Sequence, residues 1–241
     1  MVHKLAIVAV LGLSASAVCM GAAAAIGGQQ FGKGFDGLDI GMFDDKPRCE
    51  VGGGAPINRT IEWDGSDHVG LSIPGRATYA PGNDDQVHIS GNPMLVPHIR
   101  VGDGRVELDC RMGHNGARDI EVTLPGRAFR KFSIAGSGNL ELKGLNQERV
   151  KLSIAGSGNI KADGRVERVE THIAGSGDID TAHVESQRTE VHIAGSGNTD
   201  IAPTDEAEIH IAGSGDVNLH TNPRKLETHI AGSGRIHNVG S

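Results

Sequence analysis

Ile-Ala-Gly-Ser-Gly occurs six times in the second half of the chain, beginning at Ile134, Ile154, Ile173, Ile193, Ile211 and Ile230. The steps are 20, 19, 20, 18 and 19 residues. A unit this short cannot bury a core alone, so each copy must be covered by the copies before and after it. The chain is therefore constrained to a stack.

The residues around the pentapeptide say what is stacked. Ahead of each copy runs a strictly alternating segment, as in Val150-Lys151-Leu152-Ser153-Ile154. Alternation of this kind puts Val150, Leu152 and Ile154 on one face of a β-strand. The equivalent sets are Val169, Thr171, Ile173; Thr189, Val191, Ile193; Ala207, Ile209, Ile211; and Leu226, Thr228, Ile230. After Gly-Ser-Gly a second alternation begins, with Leu140 and Leu142, Ile160 and Ala162, or Val217 and Leu219. Each rung thus reads as two inward-facing strands, a glycine corner between them, and a variable polar arc such as Lys161–Glu167 or Pro203–Glu206. The one- or two-residue differences in step fall in that arc. At about 4.8 Å per rung, six rungs stand about 29 Å tall. Glycine at the corner answers either a positive φ or a rung too close for a Cβ.

The expected fold class is all-β, a β-solenoid with rungs of about 19 residues. Leucine-rich repeats need Leu-x-x-Leu-x-Leu, calcium-binding nonapeptide repeats need Gly-Gly-x-Gly-x-Asp, and a propeller blade needs about twice this period. None of these fits. Ahead of the repeats, short β-like runs are expected at Thr60–Trp63, Val69–Ile73, Gln86–Ile89, His98–Val101, Arg105–Asp109 and Ile120–Leu124. Gly-Asn-Pro, Gly-Asp-Gly and Pro-Gly turns separate them.

Residues 1–25 have the pattern of an export signal: Lys4, an apolar Leu5–Leu13 run, then Ala23, Ala24 and Ala25. Cys19 sits at lipoprotein depth, but Val18 and Ser16 stand where a small residue and Leu are wanted. Residues 26–60 are Gly-rich and read as a loosely structured leader. The solenoid domain is expected over 61–241, with irregular opening strands at 61–132 and regular repeats at 133–241. No second apolar run is long enough for a membrane span in the mature chain. Cys49 and Cys110 could form a disulfide in an oxidising compartment, or remain unpaired thiols.

The charge is −7, and loss of Lys4 with the signal makes it one unit more negative. With one Trp, one Tyr and five Phe, the chain has neither the basic field nor the stacking platform that nucleic acid requires.

The motifs at 136–139, 156–159, 175–178, 195–198 and 213–216, Gly-Ser-Gly followed by Asn or Asp, carry a family resemblance. Together with Val69–Arg76, Gln86–Gly91 and Val101–Leu108, they resemble the bacterial putative auto-transporter adhesins with a head GIN domain, over roughly 65–240. The resemblance implies a right-handed parallel β-helix behind a signal peptide and an adhesive role, and it supplies no catalytic residues. The last copy departs from it, with Arg235 in the Asn/Asp position.

Alternation places His172, His192, His210 and His229 in one outward column beside Glu170, Glu190, Glu208 and Glu227. Such a strip could bind a divalent transition metal or change charge near pH 6. The expected reading is a solvated ladder, each Glu screening nearby His, copied along with the repeat. Asn139, Asn159, Asp178, Asn198 and Asp216 read as turn residues that bond local backbone. Ser137, Ser157, Ser176, Ser196, Ser214 and Ser233 lack the strand-to-helix elbow of a nucleophile, and no Lys or helix N-terminus makes the loop a phosphate cradle. A polysaccharide-cleaving enzyme would want clustered carboxylates and aromatics, yet no aromatic follows Phe132. The expectation is an exported, non-enzymatic solenoid, periplasmic or at the cell surface. It needs no cofactor and takes an envelope component or protein as partner. The rivals are a carbohydrate-active enzyme and a divalent-metal-binding module.

Overall fold

The computed structural model describes residues 47–50, 52–112 and 119–240, all within the compact unit Gly37–Ser241. The expected signal at 1–25, Cys19 and the leader as far as residue 46 lie outside the described residues.

The opening half contributes β1 (Ile57–Glu62), β2 (His68–Ser72), β3 (Arg76–Tyr79), β4 (Gln86–Gly91), a 3-10 turn at Val96–His98, β5 (Ile99–Gly102), β6 (Arg105–Leu108) and β7 (Ile120–Thr123). The repeats contribute β8 (Lys131–Gly136), β9 (Asn139–Gly156), β10 (Asn159–Gly175), β11 (Asp178–Gly195), β12 (Thr199–Ile201), β13 (Pro203–Gly213), β14 (Val217–Leu219), β15 (Lys225–Gly232) and β16 (Ile236–Asn238).

The pentapeptides lie on one another in register. Ile134 pairs with Ile154, then Ile173, Ile193, Ile211 and Ile230, all in parallel. This gives one face of a parallel β-solenoid, ordered β6-β2-β8-β9-β10-β11-β13-β15. The strand after each corner builds the second face, β7-β3-β9-β10-β11-β12-β14-β16. The Ile column is buried from Ile134 to Ile211, and the columns at Leu152 and Leu140 are buried beside it. Each fully buried Ile contributes on the order of 1.5–3 kcal/mol, which is how repetition alone builds a core.

The arcs depart from the expected polar loops in the first three repeats. β9, β10 and β11 are unbroken strands of 17 or 18 residues that continue pairing through the arc. Gly164 pairs with Leu145 on one side and Val184 on the other. Leu145, Val166 and Val184 point into the core as a short third side. A single apolar residue in a polar arc is a weak alternation signal, so the sequence does not announce this side.

Both alternatives for the corner glycines hold. Gly175 has φ +131°, and a Cβ there would stand 2.3 Å from the Gly156 carbonyl oxygen. Gly177 has no such φ, but its Cβ would meet the Gly158 oxygen at 2.3 Å and Ile154 Cγ2 at 2.8 Å.

The two ends differ. At the first, β5 runs antiparallel to β6, and β4 and β1 add antiparallel strands beyond β7. Trp63, Tyr79, Phe129 and Phe132 fill this end, with ring centroids 5.3–5.9 Å apart in edge and tilted contacts. Cys49 and Cys110 are joined by a disulfide across 61 residues, and Pro47 and Cys49 exchange backbone hydrogen bonds with Arg111. That part of the Gly-rich segment is held, not loose. At the other end, Leu226 and Ile230 occupy core positions but stay exposed, because among the described residues no rung covers β15.

Candidate functional site: the histidine–glutamate ladder

Register converts the outward alternation into two continuous columns. One runs Gly70, Ser133, Ser153, His172, His192, His210, His229. The other runs His68, Lys131, Lys151, Glu170, Glu190, Glu208, Glu227. The four imidazoles stack face to face, with centroids 4.7–4.9 Å apart and planes within 17° of parallel. That is the rung spacing itself.

The expectation of a solvated column needs correction. His172 and His192 are 1% and 2% exposed, and only toward the open end does the column reach water, at His210 and His229. Alternation gives a side chain's direction, not its exposure. A planar ring repeated every 4.8 Å covers both faces of its neighbours, and the Glu two residues earlier folds over one edge. His172 Nε2 lies 2.5 Å from Glu170 Oε1, His192 Nε2 2.6 Å from Glu190 Oε1, and His210 Nε2 2.8 Å from Glu208 Oε1. A carboxylate only accepts, so each Nε2 carries the proton that it donates.

The electrostatics at the buried end of the stack disfavour a charge on His172. Burial pushes the His172 imidazole below its ordinary 6.5, and Lys151 and His192 act the same way against the pull of Glu170. The hydrogen bond from His172 holds the Glu170 carboxyl at about 2 despite burial, and Lys151, 2.6 Å away, adds to it. Glu190 is lowered first by the His192 hydrogen bond. Two imidazolium rings at this separation would repel by about 3–4 kcal/mol at an effective dielectric of 20.

The imidazoles are arranged as a stack and do not converge on one point. Imidazole lone pairs lie in the ring plane, so parallel rings one rung apart direct them side by side and not at a common point. A metal at about 2.0–2.1 Å from each nitrogen would require the rings to leave both the stack and their carboxylates. Elsewhere, donor atoms of His98, Asp109 and Cys110 fall within 4.8 Å of one another. The Cys110 sulfur is consumed by the disulfide, which leaves the 2.7 Å His98–Asp109 contact.

The Asn/Asp column is also continuous. Asn159 Nδ2 donates to Asn139 Oδ1 at 2.8 Å, and Asp178 Oδ1 accepts from the Asn198 backbone N–H at 2.8 Å. Asp216 Oδ1 accepts from the Arg235 backbone N–H, so the departure at Arg235 preserves the contact that matters. The six serines between the glycines form an exposed ridge. Absent from the sequence-level reading is a cleft of about 610 Å³ beside the third side, lined by Val166, Ala182, Val184, Ala202, Thr204 and Thr221 among others. Its only sequence trace is the shortened step between Ile193 and Ile211.

The family model of the putative auto-transporter adhesin, head GIN domain, matches residues 67–241. The chain belongs to this family. The head GIN domain here shares its fold with solved structures from two bacteria. A putative adhesin from Bacteroides fragilis NCTC 9343 is similar with a TM-score of 0.62 at 16% identity, over 78% of this chain and 98% of that one. A putative lipid binding protein from Parabacteroides distasonis ATCC 8503 follows at 0.51 and 17%, over 79% and 99%. No curated protein sequence matches the chain. No helix among the described residues is long and apolar enough to cross a membrane.

Proposed function

We propose that this head GIN domain is an exported, non-enzymatic binding module that presents rigid rows of identical side chains to a protein or other component of the bacterial envelope. The observation that carries the reading is the in-register stack. One covalent repeat becomes straight columns of Ser, Asn/Asp and Glu along the surface at a fixed spacing, beside the largely buried His stack. A surface of this kind recognises an extended or repetitive partner, whereas chemistry needs unlike groups converging on one point. Export is supported by the signal-like pattern of residues 1–25 and by the Cys49–Cys110 disulfide, which belongs to an oxidising compartment. Family membership agrees with both.

The test pairs two measurements on the purified mature protein. Immobilised protein should retain an envelope component saturably, and heat-unfolded protein should not. Incubation with a panel of polysaccharides should release no new reducing ends. Appearance of reducing ends would replace the binding module with a carbohydrate-active enzyme, and absence of any retained component would remove the adhesive role.

A further inference from the structure

The third side of the solenoid ends abruptly at β11. Its columns are short. Leu145, Gly164 and Val184 pair in one, Asn146, Arg165 and Glu185 in the next, with Asp163 against His183. The following rung does not continue them. β11 pairs with it at Asp180↔Asp200 and then resumes only at Ser186↔Pro203. Five residues, 181–185, lie between the two ladders on β11, where the next rung has only Ile201 and Ala202. The shorter rung thus leaves the β11 edge at His183–Glu185 without a ladder partner on that side. The 610 Å³ cleft opens over this edge, between Val184 and Ala182 below and Ala202, Thr204 and Thr221 beside it.

We infer that this notch is a docking site for an extended peptide, which adds a parallel strand to His183–Glu185, sets an aliphatic side chain over Val184 and places a lysine or arginine beside Glu185. In a parallel ladder alternate residues turn both N–H and C=O toward the same neighbour, so an open edge is complemented by an extended backbone. The columns specify the side chains. Leu145 and Val184 are buried beneath the next position, and an aliphatic group there continues the core. Arg165 donates to Glu185 Oε2 through Nε at 2.9 Å and Nη2 at 2.6 Å. The column therefore runs Arg165, Glu185, and a cation in the next place would flank the carboxylate on both sides. The site rests on the binding-module reading and supplies its partner class.

The test is a titration of the isotope-labelled mature protein with capped ten-residue peptides followed by backbone amide shifts. One peptide has Val at the centre and Arg next to it, a second has Glu in place of Arg, and a third has prolines that remove the central N–H groups. The Arg peptide is expected to shift the amides of residues 182–186, Ala202 and Thr204 saturably at or below about 1 mM and to slow their exchange. It should bind at least tenfold more tightly than the Glu peptide, and Glu185→Lys should invert that order. Equal binding by the proline peptide, shifts confined to the open β15 edge, or no saturable shift would each overturn the site. Unchanged envelope capture by Glu185→Lys alongside a failed titration would sink the notch while leaving the binding module intact.

Discussion

Thr199 stands in the column that Leu140, Ile160, Ile179 and Val217 fill with aliphatic side chains, and its buried hydroxyl has no hydrogen-bond partner. A desolvated, unpaired hydroxyl costs on the order of 1 kcal/mol or more. Thr199→Val keeps the shape and is expected to raise stability by about 1 kcal/mol, read as an increased urea midpoint. The Glu170–His172 pair sets an acid limit. Glu170 falls from an ordinary 4.5 to about 2 in the folded protein, so it binds protons more readily when unfolded. The stability it provides is complete above pH 4.5 and is lost as pH falls through 4.5 toward 2. His172, pushed below 6.5, drains stability in the same direction from pH 6.5 downward. Glu170→Gln should therefore flatten the dependence of the urea midpoint on pH between about 4.5 and 2, while the part between 6.5 and 4.5 persists. At this scale the sequence showed which way His172 points. Its burial was illegible, because it arises from identical rings closing over one another across rungs.

Among the elements, the corners were legible almost completely, since a strand alternation interrupted by Gly-Ser-Gly has few other solutions. The structure adds why each glycine is needed, and this grades the cost of replacing it. At Gly136 a Cβ would meet nothing within 4 Å, and only the φ of +105° opposes a side chain. Gly136→Ala should cost about 1–2 kcal/mol. Gly175→Ala adds a collision with the Gly156 carbonyl to a similar φ, so the rungs must separate locally. It should lower the thermal midpoint clearly further than Gly136→Ala does, and equal effects would mean that the rungs are not in contact there. The short strand β3 was missed because Pro74, Gly75 and Pro81 crowd its four residues, leaving only Ala77 and Tyr79 to alternate. The third side is hidden in the sequence for a different reason, since Leu145, Val166 and Val184 stand among polar residues and set up no alternation. The notch at its end follows from register, which exists only once the rungs are stacked.

At the scale of the whole molecule, a solenoid must solve two problems that its repeat cannot, namely how to begin and how to stop. Here the beginning is closed by antiparallel strands, an aromatic cluster and the Cys49–Cys110 bond. Replacing both cysteines by serine frees a loop of 61 residues and should cost about 2–4 kcal/mol. A reductant should lower the thermal midpoint of the parent to match the double variant, and leave the variant unchanged. The central claim is that successive repeats lie directly on one another, and the exposed serine ridge allows it to be measured in solution. Spin labels at Ser137 paired in turn with Ser176, Ser196, Ser214 and Ser233 report distances by pulsed electron resonance. The account predicts that each added rung lengthens the distance by about 4.8 Å, in a straight line from the first pair to the last. Distances that scatter, or that fail to grow with each repeat, would contradict it.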